Sequence, residues 1–151
     1  MVGRYIFPLP SDEELLVFEK KINYNFANRA LLREAFQGSN ALNGDGNKTL
    51  ALIGVRVLGL VIVASGRNKN KTRKGISAMI DERAGTGNLH DQGFERGIDK
   101  FIVKNPCQSQ IGRNVMIDTM QAIVGAVYLD CNEQIPPCAD VMTALGLSWP
   151  E

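Results

Sequence analysis

The chain has 151 residues, of which 44% are hydrophobic and 22% are charged, and it carries a formal net charge of +1. This length allows one domain with a sizeable core, and this apolar content excludes a largely disordered chain. Because positive and negative charges nearly balance, the protein as a whole has no strong field, and any surface for a polyanion must come from local clustering of cations.

The N-terminal half contains three helical patterns. Ser11 precedes three acids and an apolar run, as at a capped helix start, so we expect a helix to begin there. Apolar residues at helical spacing predict a second helix over Asn28–Leu42. After the turn cluster NGDGN, the segment Asn47–Ala64 predicts a long helix, in which Arg56 is the only charge of the apolar run Leu50–Ala64.

The next segment, ASGRNKNKTRKG, is strongly basic. We expect it to form an exposed loop, in which the cations are Arg67, Lys69, Lys71, Arg73 and Lys74. Beyond it, helical patterns recur over the segments Ile76–Ala84, Leu89–Phe101, Val115–Asp130 and Ala139–Leu145. Alternating strand patterns are nearly absent, so the sequence predicts a single all-α domain.

Two further features bear on location. The start, MVGRYIFPLPSDEELL, lacks the apolar core of a secretory signal, and the run Leu50–Ala64 is shorter than the ~20 apolar residues that a membrane span needs. The three cysteines, Cys107, Cys131 and Cys138, suit free thiols in a reducing compartment. We therefore expect an intracellular protein without membrane association, in a compartment that the sequence does not specify.

Four segments occur in the order found in ribonuclease III domains. INYNFANRALLREAF resembles the opening of that family, and LALIGVRVLGL resembles its signature helix, normally Leu-Glu-Phe-Leu-Gly-Asp-Ala-Val-Leu. GNLHDQGFERGIDKFI is similar to the family's middle segment, and GRNVMIDTMQAIVGAVYLD is similar to its last core helix. The resemblance is strongest from Phe18 to Asp130. It implies a ribonuclease III-like helical fold for one domain, residues 1–151, without a double-stranded-RNA-binding domain.

The resemblance also implies where a metal site would stand. Members of the family cleave double-stranded RNA with magnesium, held by two acids on the signature helix and two on the last core helix. On the signature helix these acids fall on Ala51 and Val55. On the last core helix the aspartate is present as Asp118, whereas the glutamate falls on Gln121. Since magnesium needs charged oxygen ligands, we expect no metal cofactor, with Asp118 as at most one remaining ligand.

Two functions are compatible with this pattern. We favour a non-catalytic ribonuclease III-like protein that binds RNA or serves as a structural or dimerisation subunit. The alternative is a double-stranded-RNA endonuclease with an altered metal site, and only then would magnesium be a cofactor. Other acids lie near the site elements in the sequence, but their spacing does not place them on the missing positions: Asp45, Asp81 and Glu82.

The expected partners are RNA and a second ribonuclease III-like chain. The basic segment could contact double-stranded or ribosomal RNA through phosphates, although such a charge run is often simply a solvated surface. In the family, an aromatic residue of the signature helix enters a socket on the partner subunit. Leu52 occupies that position here, so a homodimer or a heterodimer is expected, unless Leu52 is an ordinary core residue.

Three single residues have two interpretations each. Arg56 shares a helix face with Leu52 and would cross a dimer seam or meet a phosphate, but an ion pair with Glu34 or Asp118 is favoured. Asp118 would be a metal ligand or, preferably, an acid stabilised by the helix dipole. Trp149 would pin the C-terminal tail to the body or contact a partner.

Overall fold

The computed structural model of the protein describes residues 9–38, 44–104 and 110–150. In these ranges the chain forms helices and one short 3₁₀ turn, Ile98–Phe101. The only β-type pairing in which both partners are described is an isolated bridge between Gln37 and Val103, and no strand is formed in the described ranges, so the all-α prediction is confirmed. The helices in chain order are α1 Asp12–Ile22, α2 Arg29–Ala35, α3 Lys48–Asn68, α4 Arg73–Arg83, α5 Thr86–Glu95, α6 Arg113–Asp130 and α7 Ile135–Ala144.

The first two helices begin where the sequence predicts. At α1, the backbone N–H of Glu14 donates to Ser11 Oγ at 3.2 Å, and the backbone N–H of Ser11 donates to Glu14 Oε1 at 2.9 Å. This reciprocal capping satisfies two backbone donors that the helix leaves free. Asn28 caps α2 in a similar way, since its Oδ1 accepts from Ala30 N at 3.0 Å. However, α2 ends at Ala35, earlier than predicted, and the predicted end at residue 42 lies outside the described residues.

Two later boundaries differ from the prediction for local reasons. The segment 89–101 is not one helix, because Gly97 adopts a left-handed φ of 74° and separates α5 from the 3₁₀ turn. The last helix begins at Ile135 instead of Ala139. Its first turn contains the prolines of the IPP segment, and proline suits this position because the N–H that it lacks would have no intrahelical acceptor.

The core is centred on α3 and α6, which form the most extensive packing between two helices of the described chain. Side chains of α6 from Met116 to Val127 are almost all buried. By length and composition α3 could span a membrane, contrary to the expectation from the shorter run Leu50–Ala64, but 44% of its apolar window is buried inside the protein. The core helix of a protein that does not span a membrane can be equally long and apolar.

The C-terminal end of α6 is hydrogen-bonded to the segment that leads into α2. The carboxylate of Asp130 accepts three hydrogen bonds, from Tyr24 Oη at 2.6 Å, from Ala27 N at 2.9 Å and from Asn28 N at 2.7 Å. Burial is the main cause that raises the pKa of Tyr24, and the bond to Asp130 adds to it. One carboxylate thus fixes the segment between α1 and α2 to the C-terminus of the central helix.

Candidate functional site

The two central helices cross with their backbones in contact. A Cβ added to Gly54 of α3 would lie 1.8 Å from the carbonyl oxygen of Gln121 on α6. A Cβ added to Gly125 of α6 would lie 2.1 Å from the carbonyl oxygen of Leu50 on α3. Only glycine permits this approach, because any side chain would overlap the facing backbone. The crossing brings the part of α3 around Gly54 directly against the part of α6 that begins with Asp118.

The four positions of the implied metal site surround this crossing. Ala51 is buried, with 5% of its surface exposed, whereas Val55 is 40% exposed. Asp118 and Gln121 are both half-buried on α6. The first two offer no oxygen from their side chains, and Gln121 offers only an uncharged amide. A single carboxylate, that of Asp118, therefore remains among the four positions.

That carboxylate is paired with a lysine. The ammonium Nζ of Lys48 lies 2.7 Å from Asp118 Oδ2, and the Asp118 side chain is 25% exposed. The pair joins the first residue of α3 to α6 beside the crossing. Our sequence interpretation missed Lys48, although it lies three residues before Ala51 and hence on the same face of the helix.

The expected ion pair of Arg56 is not observed. Within the described residues Arg56 forms no ion pair, and Lys48 instead of Arg56 reaches Asp118. The preferred structural account of Asp118 is also wrong, because no acid lies in the first turn of α6 and Asp118 lies beyond it. The dipole effect is largely confined to that first turn, so the charge of Asp118 is balanced by Lys48.

This set of side chains does not suit magnesium. The ion prefers several charged oxygen ligands, and here one carboxylate is available, already bound to an ammonium group. Throughout ranges 9–38, 44–104 and 110–150, no group of three or more His, Cys, Asp or Glu side chains could hold a metal ion. The other candidate acids are exposed and belong to no such group: Asp45, Asp81 and Glu82.

Beside the crossing, Asn47 is a buried polar residue that the sequence interpretation did not single out. Its Nδ2 donates to the Ala35 carbonyl oxygen at 2.8 Å and to Thr119 Oγ1 at 3.3 Å, while its Oδ1 has no partner in the described structure. These bonds tie the start of α3 to α2 and α6. The sequence signal that could have drawn attention to Asn47 is the turn cluster NGDGN, which ends with this residue.

The basic segment is exposed but is not a loop. Helix α3 continues through Arg67, and α4 begins at Arg73, so only residues 69–72 connect the two helices. Thr72 caps α4 by accepting from Gly75 N at 3.0 Å, which explains the early start. All five cations are exposed, and none forms an ion pair with a described residue: Arg67, Lys69, Lys71, Arg73 and Lys74.

Three of these cations line a cleft of about 760 Å³ between the end of α3 and the start of α4. They are Arg67, Lys71 and Arg73, and apolar side chains such as Ile76 and Ile80 lie between them. The cleft adjoins Trp149, whose ring centroid is 6.0 Å from Lys71 Nζ. Trp149 pins the C-terminal tail, since its Nε1 donates to the Ile62 carbonyl oxygen at 2.9 Å.

One face of α3 is apolar and points to solvent. We call it the α3 face. Its large side chains are exposed by 40% to 64%, namely Leu52, Val55, Leu60 and Val63. Leu52 is the most exposed of them, so it is not an ordinary core leucine. Exposed apolar side chains grouped on one helix face are typical of a protein–protein interface.

No family model matches this chain, but curated proteins named ribonuclease 3 are similar to it in sequence. It is 30% identical to ribonuclease 3 of Pseudoalteromonas translucida over 138 residues, which cover 87% of this chain and 58% of that protein. It is 26% identical to ribonuclease 3 of Coxiella burnetii over 117 residues, which cover 74% of this chain and 50% of that protein. The chain thus spans about half the length of the curated relatives it matches.

Solved structures share its fold. The crystal structure of the nuclease domain of ribonuclease III from Campylobacter jejuni matches with a TM-score of 0.73 at 17% identity, covering 88% of this chain and 94% of that one. Another structure of this nuclease domain, described as flexible in a region involved in dimer formation, gives a TM-score of 0.68 at 18% identity, covering 83% and 89% of the two chains. These structures show the fold of the chain, and the sequence relatives show that it belongs to the ribonuclease III domain family.

Proposed function

We propose that this protein is a non-catalytic member of the ribonuclease III domain family that dimerises through the α3 face and binds RNA through its basic segment. The Lys48–Asp118 ion pair is the observation that supports this proposal most strongly. The ammonium group of Lys48 thus binds the one acid that remains of the four that the resemblance assigns to a divalent cation.

Electrostatics explains why this arrangement opposes catalysis. Metal-assisted phosphate hydrolysis requires an ion that activates water and stabilises the transition-state charge, and carboxylates must hold that ion. The chain has lost three of the four acids that the resemblance implies, and the ammonium of Lys48 would repel a divalent cation approaching Asp118. Because Ala51 is buried, its environment has also been adapted to an apolar side chain.

A cleavage assay tests this part of the proposal. End-labelled double-stranded RNA is incubated with the protein in Mg²⁺ or Mn²⁺, next to an active ribonuclease III as the positive control. We expect no metal-dependent products. Cleavage by the wild type that disappears in Asp118→Ala would establish the alternative, an endonuclease with an altered metal site.

The basic segment supports RNA binding because its charges are free. Five exposed cations without ion pairs within the described residues can each approach a phosphate, and the release of counterions then favours binding. Double-stranded RNA is recognised largely through its shape and backbone, so a surface without base-reading groups is sufficient. The proposed ligand is double-stranded RNA, including double-helical parts of ribosomal RNA, at an intracellular location.

A charge-matched comparison tests the RNA surface. Binding to double-stranded RNA is measured at several salt concentrations for the wild type and for a variant with four neutralised cations, Lys69→Gln, Lys71→Gln, Arg73→Gln and Lys74→Gln. We expect affinity to fall at least about tenfold and the dependence on salt to become shallower. The control removes four cations elsewhere, at Lys20, Lys21, Lys100 and Arg113. Equal loss of affinity in both variants would contradict a specific role of the basic segment.

The α3 face supports dimerisation. Its exposed apolar side chains have no neighbour in the described chain that would cover them, and the most exposed, Leu52, stands where the family uses an aromatic residue to enter the partner. A two-fold axis across α3 would place this face against its own copy. The same surface would also accept the signature helix of another ribonuclease III-domain protein, so a heterodimer belongs to this proposal.

A further inference from the structure

Two cysteine thiols meet at the junction of α6 and α7. Cys131 follows the last residue of α6, and Cys138 lies in α7 just beyond its first turn. The Sγ atoms of both residues contact the same acceptor, the carbonyl oxygen of Gln134, at distances of 3.2 Å for Cys131 and 3.4 Å for Cys138. A shared acceptor keeps the two sulfur atoms close together without a bond between them.

The two thiols differ in their access to solvent. Cys131 is half-buried, so a small solute can reach its sulfur, whereas Cys138 is completely buried. Burial raises the pKa of the Cys138 thiol to about 12, and the neighbouring Cys131 contributes to the shift. Only the thiolate is an effective nucleophile. Cys131 is therefore the residue that an oxidant meets first, and Cys138 is placed to react with the product.

We propose that this pair is a thiol-modification site, at which a hydroperoxide converts Cys131 and Cys138 into an intramolecular disulfide. The Cys131 thiolate attacks the peroxide oxygen, the O–O bond breaks, and sulfenic acid and an alcohol form, or water when the oxidant is hydrogen peroxide. The Cys138 thiol then transfers its proton to the oxygen of the Cys131 sulfenic acid as its sulfur attacks the Cys131 sulfur. That oxygen leaves as water, and the two thiols have supplied the two electrons that reduce the peroxide.

The new bond would leave the start of α7 capped. Gln134 is the residue that caps α7, so its carbonyl oxygen keeps the role of accepting the first intrahelical hydrogen bond after the thiols have turned away. Between the cysteines, Asn132 and Glu133 adopt left-handed φ angles of 60° and 63°. A disulfide between Cys131 and Cys138 would close a loop that contains these two residues, which would restrict the unfolded chain and oppose relaxation of this turn.

Formation of the disulfide is also expected to affect the start of α2. Asp130, next to Cys131, accepts the backbone N–H groups of Ala27 and Asn28. Fixing the end of α6 should therefore slow the opening of these two hydrogen bonds. Amide hydrogen exchange at Ala27 and Asn28 is expected to slow on oxidation, although the cysteine thiols of this region form their hydrogen bonds with Tyr128 and Gln134 and not with these two residues.

The test uses the full chain with Cys107→Ser, which leaves the proposed pair as the only cysteines. The reduced protein is treated with hydrogen peroxide and examined by intact mass, thiol alkylation and peptide mapping. We expect a loss of two hydrogens, no alkylatable thiol, a disulfide linking residues 131 and 138, full reversal by a dithiol reductant, and a higher midpoint of thermal unfolding.

Two variants separate the roles of the sulfurs. In the same background, Cys138→Ser should stop at a sulfenic acid on Cys131 that a dimedone probe traps, and Cys131→Ser should not react at the same peroxide dose. The proposal is overturned if the protein with both cysteines keeps two free thiols, proceeds to sulfinic acid, or forms disulfides only between molecules.

Discussion

The ammonium Nζ of Lys48 lies 2.7 Å from Oδ2 of Asp118, so the one acid that remains at the crossing of α3 and α6 is already neutralised. The attraction within an ion pair is weak where both side chains are exposed, and it increases where water is partly excluded. The side chain of Asp118 is 25% exposed and that of Lys48 is 53% exposed, so this pair lies between the two cases. Restoring the lost acids alone would therefore leave a lysine competing with any metal ion for Asp118.

This competition predicts the outcome of a restoration experiment. The variant Ala51→Glu, Val55→Asp and Gln121→Glu should bind Mn²⁺ weakly, and adding Lys48→Gln should tighten binding at least about tenfold, which corresponds to roughly 1.4 kcal/mol. The reason is that Lys48 must otherwise be displaced before the metal reaches Asp118. Titration calorimetry measures both affinities, and circular dichroism confirms that the new acids have not unfolded the protein.

A remote lysine provides the control for net charge. Adding Lys69→Gln to the three restored acids changes the net charge by the same amount, far from Asp118 in sequence and without an ion pair to it. If this control improves Mn²⁺ binding as much as Lys48→Gln does, general electrostatics accounts for the gain, and the special role of Lys48 is refuted.

The glycine at the helix crossing predicts a large loss of stability. Gly54→Ala should lower the free energy of unfolding by about 3 kcal/mol, because its Cβ would lie 1.8 Å from the backbone oxygen of Gln121 and the two helices must separate. The matched control is Gly87→Ala in α5, where an added Cβ meets no atom within 4 Å. Since alanine favours helix, this control should gain up to about 1 kcal/mol. Urea denaturation of both variants decides the matter, and a Gly54→Ala variant as stable as the wild type would contradict the close crossing.

Local chemistry explains which parts of the fold could be predicted. The reciprocal cap of Ser11 and Glu14 is written in four consecutive residues, and the start of α1 follows from it. The charge of the basic segment predicts exposure and hence a loop, yet lysine and arginine are good helix formers and Thr72 is a capping residue. Exposure and helical structure are independent properties, and charge density indicates only the first.

Contacts between distant residues explain why the candidate site was predicted only in part. The positions of Ala51, Val55 and Asp118 could be assigned by resemblance, because each lies on a recognisable helix. The partner of Asp118 could not, since Lys48 is 70 residues away and pairs of charges at such separation follow no sequence pattern. Arg56 was the reasonable choice on its own helix, but it points toward solvent, as the α3 face does.

Alkaline pH should reveal the burial of Cys138. Its folded pKa is raised to about 12 from an ordinary value of 9.0, so the folded state retains a proton that the unfolded state has lost. The stability that the folded protein gains from keeping the Cys138 thiol protonated is complete below pH 9, and it is lost progressively as pH rises toward 12. Between about pH 8.5 and 10, the wild type should lose about 1 kcal/mol of stability more than Cys138→Ala does. Denaturant titrations measure the difference, and Cys131→Ala, which keeps the buried Cys138 thiol, is the control expected to lose more stability over this range than Cys138→Ala does.

The α3 face predicts a dimer that one charge should disrupt. Leu52 is 64% exposed on this face, and an aspartate there would have to be desolvated against its own copy or another apolar surface. Leu52→Asp should therefore weaken dimerisation at least about tenfold in sedimentation equilibrium. Val17→Asp on α1 is the matched control, because Val17 is also largely exposed, at 54%, but lies outside the α3 face. A wild type that sediments at the monomer mass of 16.6 kDa throughout the micromolar range would contradict homodimerisation, and equal weakening by both substitutions would move the interface away from Leu52.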